Sequence, residues 1–439
     1  MAGLTVTFCW LMLVASPSAS AETEPLALDL PTVLRLAGGR SIDVEIARQE
    51  LHLARAEAGQ VRARFFPWLS PGGGYRRHEG ATPDIEGVVL ENADKDLWEA
   101  SAVVRAQVDV GETLFAARSA RRAADAAGHG VDAAFQDAVF LTAIRYFELL
   151  AAQASEEVFT QARRISVTYG DEIAQAVEAG LASRSEQLRV RVEIEKNSIA
   201  IERAREERRV AAARLAQVIR VGGTLDIVAD RNDIAPVQLV SADTNLDVLV
   251  AHAVASRGEI QRSHALVSAA RESRKGVVYG PLLPSLDGQV GFGGLGGGPD
   301  GQGDVSGDFA DYGAAMRWRI GPGGLFDFPR IEAAAARLRR AELEDLRWRD
   351  LVTREVVEAH SRSVALAGRL ASTTAALATT EEVLSLARQR REFGIDVVLE
   401  NILAEQEQTR TRADYLLTVI DWNRAQYGLL RALGGSTPE

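Results

Sequence analysis

The residues best placed to do chemistry are acids in two short turns. One turn reads Ala179-Gly180-Leu181-Ala182-Ser183-Arg184-Ser185-Glu186, the other Phe393-Gly394-Ile395-Asp396-Val397-Val398-Leu399-Glu400. In each, a glutamate follows the glycine by six residues. A carboxylate in the first turn of a helix is favoured by the helix dipole by ~0.3–1 kcal/mol. Gathered around an axis, such carboxylates would form a ring that selects cations and repels itself when closed. Catalytic chemistry finds no comparable support. The six histidines (His52, His78, His129, His252, His264, His360) are scattered, with no pair at metal-ligand spacing. The glycine-rich run from Gly291 to Gly303 lacks the Lys-Ser/Thr ending of a phosphate loop and sits between strands, which predicts a loop outside the cell. No catalytic, cofactor-binding or metal residues are assigned.

The elements that must position these turns are long helices. From about Leu114 to Glu178 the chain is helical, with two apolar seams: Phe135, Val139, Thr142, Tyr146, Leu149 and Phe140, Ile144, Phe147, Ala151, Ala154, Val158. A helix with two seams packs against a neighbour on each side, as a ring of helices requires. Gly180 and Gly394 are the expected hinges between such a helix and the next.

Between the helices the period changes to two. Trp98, Ala100, Ala102, Val104, Ala106, Val108 and Val110 share one face of a strand; Glu99, Ser101, Arg105, Gln107 and Asp109 share the other. Leu286, Gly288, Val290 and Phe292 open a further strand. Tyr312, Ala314, Met316, Trp318 and Ile320 share a face of the next, with Arg317 and Arg319 opposite. One-sided apolar strands of ~10 residues suit an outer-membrane barrel, whose lumen Arg105, Arg317 and Arg319 would line. Four strands cannot close a barrel, since ~8 is the smallest known, and an open edge is not tolerated in lipid. The chain is therefore expected to oligomerise.

The whole order runs twice. Residues 22–222 form a first repeat with a hairpin at about 68–110, and residues 246–439 a second with a hairpin at about 285–321. Between them lies an irregular segment, 223–245. At 1.5 Å per residue, the first long helix spans about 95 Å, and the two shorter helices of that repeat span about the same end to end.

Residues 1–21 read as an export signal. Phe8 to Ala15 is a short apolar core and Ala19-Ser20-Ala21 a cleavage site. The one cysteine, Cys9, lies within it, so the mature chain would have neither disulfides nor thiolate chemistry. The net charge of −11 over 439 residues argues against nucleic acid as a partner.

With this order on the page, the chain resembles the TolC-like outer membrane efflux protein family. The resemblance rests on the duplicated strand entries at Phe66-Pro67-Trp68-Leu69 and Leu283-Pro284-Ser285-Leu286. It rests also on the exits at Leu114-Phe115 and Leu325-Phe326 and on the two glycine turns with their acids. It implies a mainly α protomer with transmembrane β, assembled as a homotrimer: a twelve-stranded β-barrel in outer-membrane lipid, continued by a long α-helical barrel in the periplasm. It implies a periplasmic adaptor (membrane fusion) protein and an inner-membrane efflux pump or ABC transporter as partners. The function implied is passive exit from a tripartite efflux or type I secretion system, gated at the periplasmic turns. Glu400 matches a pore-constricting acid of the family, but Leu403 stands where a second acid is usual. Asp396 stands where well-studied members carry a basic latch, so Glu186 and Arg184 become candidates for that role. The competing expectation is a soluble periplasmic helical scaffold or adaptor, in which the strands would be a small packed domain.

Overall fold

The computed structural model describes residues 26–83, 87–90, 94–222, 227–230, 234–241, 243–299, 305–392 and 398–435. Residues 1–21, read above as an export signal, lie outside these residues, as do residues 393–397, which hold the expected second turn.

The first repeat opens with β1 (Leu26–Leu28), α1 (Leu30–Arg40) and α2 (Ile42–Ala63). Ser41 separates the two helices because its hydroxyl caps α2, accepting from the Val44 N–H. Next come β2 (Trp68–His78), the short β3 (Thr82–Pro83) and β4 (Val89–Leu90), and β5 (Lys95–Asp109). The 69-residue α3 (Val110–Glu178) then runs without interruption into the first turn and α4 (Arg184–Ile219). The strand gives way to helix at Asp109, whose carboxylate caps α3 through the Glu112 N–H at 2.9 Å. Helix therefore begins four residues before the expected Leu114, and Val110 is helical.

The second repeat follows the same order. It comprises α5 (Leu246–Ser256), α6 (Gly258–Tyr279), β7 (Ser285–Pro299), β8 (Val305–Arg317), α7 (Phe328–Glu392) and α8 (Val398–Ala432). Helices α2 and α6 are both 22 residues long, and α4 and α8 are 36 and 35. The segment expected to be irregular contains β6 (Ile227–Ala229), which pairs in parallel with β1.

The helices form a slab one layer thick. Helix α3 lies between α2 and α6 in one half and between α4 and α8 in the other, and α7 packs on α6 and α8. The order across the slab is α2–α3–α6–α7 in one half and α4–α3–α8–α7 in the other, leaving α2, α4 and α7 as edges. The main core is where the short helices meet end to end. Tyr146, Phe147, Leu149 and Leu150 of α3 pack there against Leu215 and Ile219 of α4, with Val33 of α1 and Ile227 of β6. A second core joins Leu249 of α5, Ile260 of α6, Val352 and Val356 of α7, and Leu429 of α8. Thr142, Tyr146 and Leu149 of one expected seam and Phe147, Ala154 and Val158 of the other are buried on α3, whereas Phe135, which opens the first, is 44% exposed.

The strands β2, β5, β7 and β8 form one antiparallel sheet in that order. Two expectations fail here. The strand β7 extends to Pro299 rather than giving way to a loop at Gly293. Its glycines allow a neighbouring backbone to approach: a Cβ on Gly293 would lie 2.4 Å from the Ala100 carbonyl oxygen, and one on Gly297 (φ 147°) 1.9 Å from that of Asp96. At the other end β8 stops at Arg317, so Trp318, Arg319 and Ile320 leave the sheet. A turn replaces the ladder there, with the Leu325 N–H donating to the Arg319 carbonyl at 2.9 Å.

Candidate functional site

The residues singled out in the sequence fall in two regions, the helix turns and the sheet. At the first turn, α3 ends through a left-handed Gly180 (φ 71°), with Leu181 N–H donating to Ala176 O at 2.8 Å. Ser183 then starts α4 with a capping box. Its hydroxyl accepts from the Glu186 N–H at 3.3 Å, and the Glu186 carboxylate accepts from the Ser183 N–H at 2.7 Å and from its hydroxyl at 2.9 Å. The Ser183 amide and hydroxyl hold the Glu186 carboxyl below its ordinary value, against a small opposing effect of desolvation. Arg184 turns to the Gln187 side-chain carbonyl. Glu186 and Arg184 are therefore engaged locally and form no ion pair with each other within the chain.

Above this turn, Tyr169 and Ile173 of α3 and Val190 of α4 pack together with Ile402 of α8. Leu384 and Ala387 of α7 pack with Ala404 of α8. Helix α8 begins at Val398, but Gly394, Asp396 and the side chain of Glu400 lie outside the described residues.

In the sheet, register places residues on faces. On one face lie Leu69, Pro71 and Tyr75 of β2; Trp98, Ala100, Ala102, Val104, Ala106 and Val108 of β5; Leu286, Val290 and Phe292 of β7; and Ala310, Tyr312, Ala314 and Met316 of β8. Much of this face is open: Phe292 is 53% exposed and Tyr312 78%, while Ala102, Val104, Ala106 and Val108 in the middle of β5 are half-buried. From Val108 to Trp98 the band runs about 33 Å along the strand, or about 25 Å in height at the tilt of a membrane barrel. Its distal rim carries Trp98, stacked over Gly296, beside Tyr75. The opposite face is polar and includes Arg105, Gln107, Asp287, Gln289, Asp311 and Arg317. Arg317 pairs with Asp287 at 2.7 Å. Arg105 and Arg317 thus share the polar face, whereas Arg319 lies in the turn beyond it.

Sequence reasoning missed two buried polar clusters. In α8, Trp422, Asn423 and Gln426 grip the segment between the repeats. Trp422 donates to Val237 O (2.8 Å), Asn423 bridges Ala235 O and Val237 N (2.8 and 2.9 Å), and Gln426 accepts from Leu239 and Val240 N–H (2.9 and 3.0 Å). The signal was an Asn and a Gln one helical turn apart inside an apolar seam. The second cluster centres on Arg257, whose side chain is 2% exposed. It binds Glu259 at 2.6 Å and Glu355, while Arg431 reaches Glu355 and Asp137, each at 2.7 Å. Its members are too far apart in sequence to be linked by eye.

The fold is a helical slab one layer thick that carries a four-stranded sheet with one apolar face. Residues 33–219, which include the first hairpin, match the family model described as outer membrane efflux protein. Solved structures extend the likeness to nearly the whole chain. A membrane protein from Pseudomonas aeruginosa is 17% identical with a TM-score of 0.78, covering 96% of this chain and 99% of that one. The Vibrio cholerae outer membrane protein VceC is 18% identical at 0.74, covering 92% and 96%. The Campylobacter jejuni CmeC outer membrane channel is 17% identical at 0.74, covering 92% and 85%. No curated protein sequence matches. The first half of the chain thus resembles the outer membrane efflux protein family, and nearly the whole chain shares the fold of solved outer-membrane channels.

Proposed function

We propose that three copies of the chain close into a duct that passes substrates from a periplasmic adaptor and an inner-membrane transporter to the outside. The observation that carries this reading is that sheet and slab are open on the same two sides. The edge strand β2 continues from the edge helix α2, and the edge strand β8 leads into the edge helix α7. One rotation therefore closes both layers. Three copies give twelve strands, a permitted membrane barrel, with the apolar band facing lipid and Arg105 and Arg317 facing the lumen.

The duct does no chemistry; transport is driven by the inner-membrane partner. The turns at Gly180 and Gly394 form its inner mouth, which opens as the joined helices swing outward. Three Glu400 side chains would converge there as one acidic ring. The test is membrane fractionation followed by native mass measurement and planar-bilayer conductance. A trimer from the outer membrane that conducts supports the reading; a monomer recovered from the soluble periplasm overturns it. Glu400→Ala is expected to reduce cation preference in single-channel recordings, and an unchanged preference would remove Glu400 from the constriction.

A further inference from the structure

Charge is unevenly spread over the chain. Its net charge is −11, yet one groove in the helical slab is lined by four arginines and only two acids. The groove runs over α3 between α2 and α6 and holds about 850 Å³. Arg55 and Arg62 reach it from α2, Arg121 and Arg122 from α3. Small residues widen it, among them Ala58 and Gly59 of α2, Gly128 of α3 and Ala265 of α6. Packing fixes its walls. Helix α2 meets α3 where a Cβ on Gly128 would lie 4.0 Å from Leu51. Helix α6 meets α3 where Ser119 donates to the Ala269 carbonyl at 2.9 Å.

Elsewhere on the surface, arginines are answered by an acid one turn away, as Arg339 is by Glu342 at 3.2 Å and Arg340 by Glu344 at 2.9 Å. The groove differs. Its own two acids are already engaged: Asp125 lies 3.5 Å from Arg122, and Asp132 lies 3.8 Å from His129. Arg55, Arg62 and Arg121 have no ion pair or hydrogen bond among the described residues. Arg55 and Arg62 are seven residues apart, so they share a face of α2 about 10 Å apart along its axis. That span suits a ligand with several negative groups better than a single small ion.

Gly59 is a second, independent sign. It lies inside α2, where glycine is the poorest helix former apart from proline. A Cβ there would meet nothing within 4 Å, so no neighbour requires its missing side chain. What the glycine does is keep the groove open between Arg55 and Arg62.

We infer that this groove binds a soluble polyanion bearing phosphate or carboxylate groups, held by Arg55, Arg62 and Arg121. A guanidinium presents paired N–H donors that match either group two at a time. The three helices belong to one chain, so the site is complete without a second copy. Lipid headgroups do not reach it. Arg55 precedes β2 by thirteen residues and Arg121 follows β5 by twelve, which sets them about 18–20 Å beyond the strand ends. Headgroups extend only about 5–8 Å beyond the hydrocarbon.

Calorimetric titration of the full-length protein in detergent, with tripolyphosphate and with citrate as probes, tests the site. The parent is expected to bind one probe per chain, more weakly as salt rises. Arg55→Gln, Arg62→Gln and Arg121→Gln together should weaken binding at least about 10-fold, since each exposed charge pair contributes a factor of a few. Gly59→Leu changes no charge, favours the helix and fills the groove; it too should weaken binding at least several-fold. The control removes the same charge from exposed positions of α4, through Arg191→Gln, Arg203→Gln and Arg209→Gln. Its binding should stay within about 2-fold of the parent, because distant charges are screened. The helical signal of each variant verifies folding. No saturable binding by the parent, equal loss in both arginine triples, or undiminished binding by Gly59→Leu overturns the site. Conductance then separates two sources of the anion, an arm that alone rests on the duct proposed above. Block of the channel at saturating probe marks the anion as cargo, and binding without block marks it as held outside the duct. The titrations concern a single chain, so they stand even where no channel forms.

Discussion

At the scale of residues, the turn at Gly180 is held by bonds that compete with any gating role for Glu186. Its carboxylate is occupied by the amide and hydroxyl of Ser183, so it cannot also serve as a free latch without releasing the cap. Ser183→Ala is expected to loosen the first turn of α4 by about 1 kcal/mol, seen as faster amide exchange at Arg184–Gln187 with the rest of α4 unchanged. Because the folded carboxyl of Glu186 titrates below 4.5, the cap is complete above that pH and fails as pH falls through the lower folded value. Glu259 follows the same sign in a different setting. Burial raises its carboxyl, but hydrogen bonding and charge from Arg257, with charge from Arg431, reverse this and leave it lowered. Its contribution is present above 4.5 and is lost on acidification. Glu259→Gln leaves Arg257 buried with one acid fewer and should cost about 3–5 kcal/mol at neutral pH. The gap from the parent chain should narrow as pH falls below 4.5, read from thermal melts of the helical signal; a pH-independent gap would disprove the linkage.

At the scale of elements, β7 shows how close approach can override local preference. A run of glycines weakens a strand on entropy alone, and in isolation it predicts a loop. Here the neighbouring backbone of β5 comes so near that a side chain at Gly293 would strike the Ala100 carbonyl, and the Trp98 ring covers Gly296. Gly293→Val should therefore split β5 from β7, costing about 1–3 kcal/mol through the forced shift. The expected result is a lower yield of heat-stable, folded barrel on unheated gels. Gly288→Val, where a Cβ meets nothing within 4 Å, is the control and should fold normally.

At the scale of the whole molecule, the chain is incomplete by itself. Among the described residues, nothing pairs with its two strand edges or packs on its three helix edges, and the duplicated order of elements places those edges on the same sides. In the proposed ring, neighbouring copies would answer both needs, and lipid would meet the apolar sheet face. An Arg at the middle of the lipid-facing band should cost about 2–4 kcal/mol, so Phe292→Arg is expected to reduce the folded protein in the outer membrane. Gln289→Arg, on the polar face, should not; equal loss from both would mean that Phe292 does not meet lipid.

The sequence by itself determined much of this architecture, because periodicity and duplication are local. Alternation over Trp98–Val108 marked a membrane-facing strand, paired seams on Phe135–Val158 marked a helix with neighbours on two sides, and the order written twice marked the repeat. The family resemblance came from the same duplicated signposts. What only the tertiary structure decided depends on groups distant in the chain. Whether glycines 293–298 are loop or strand turns on how near β5 lies. Whether Glu186 is a latch or a cap turns on where the Ser183 amide points. The grip of Asn423 and Gln426 on residues 235–240, and the joining of Arg257 to Glu355, exist only once α8 and α7 are packed. Periodicity tells a helix which face to bury; it does not say which polar groups will be waiting there.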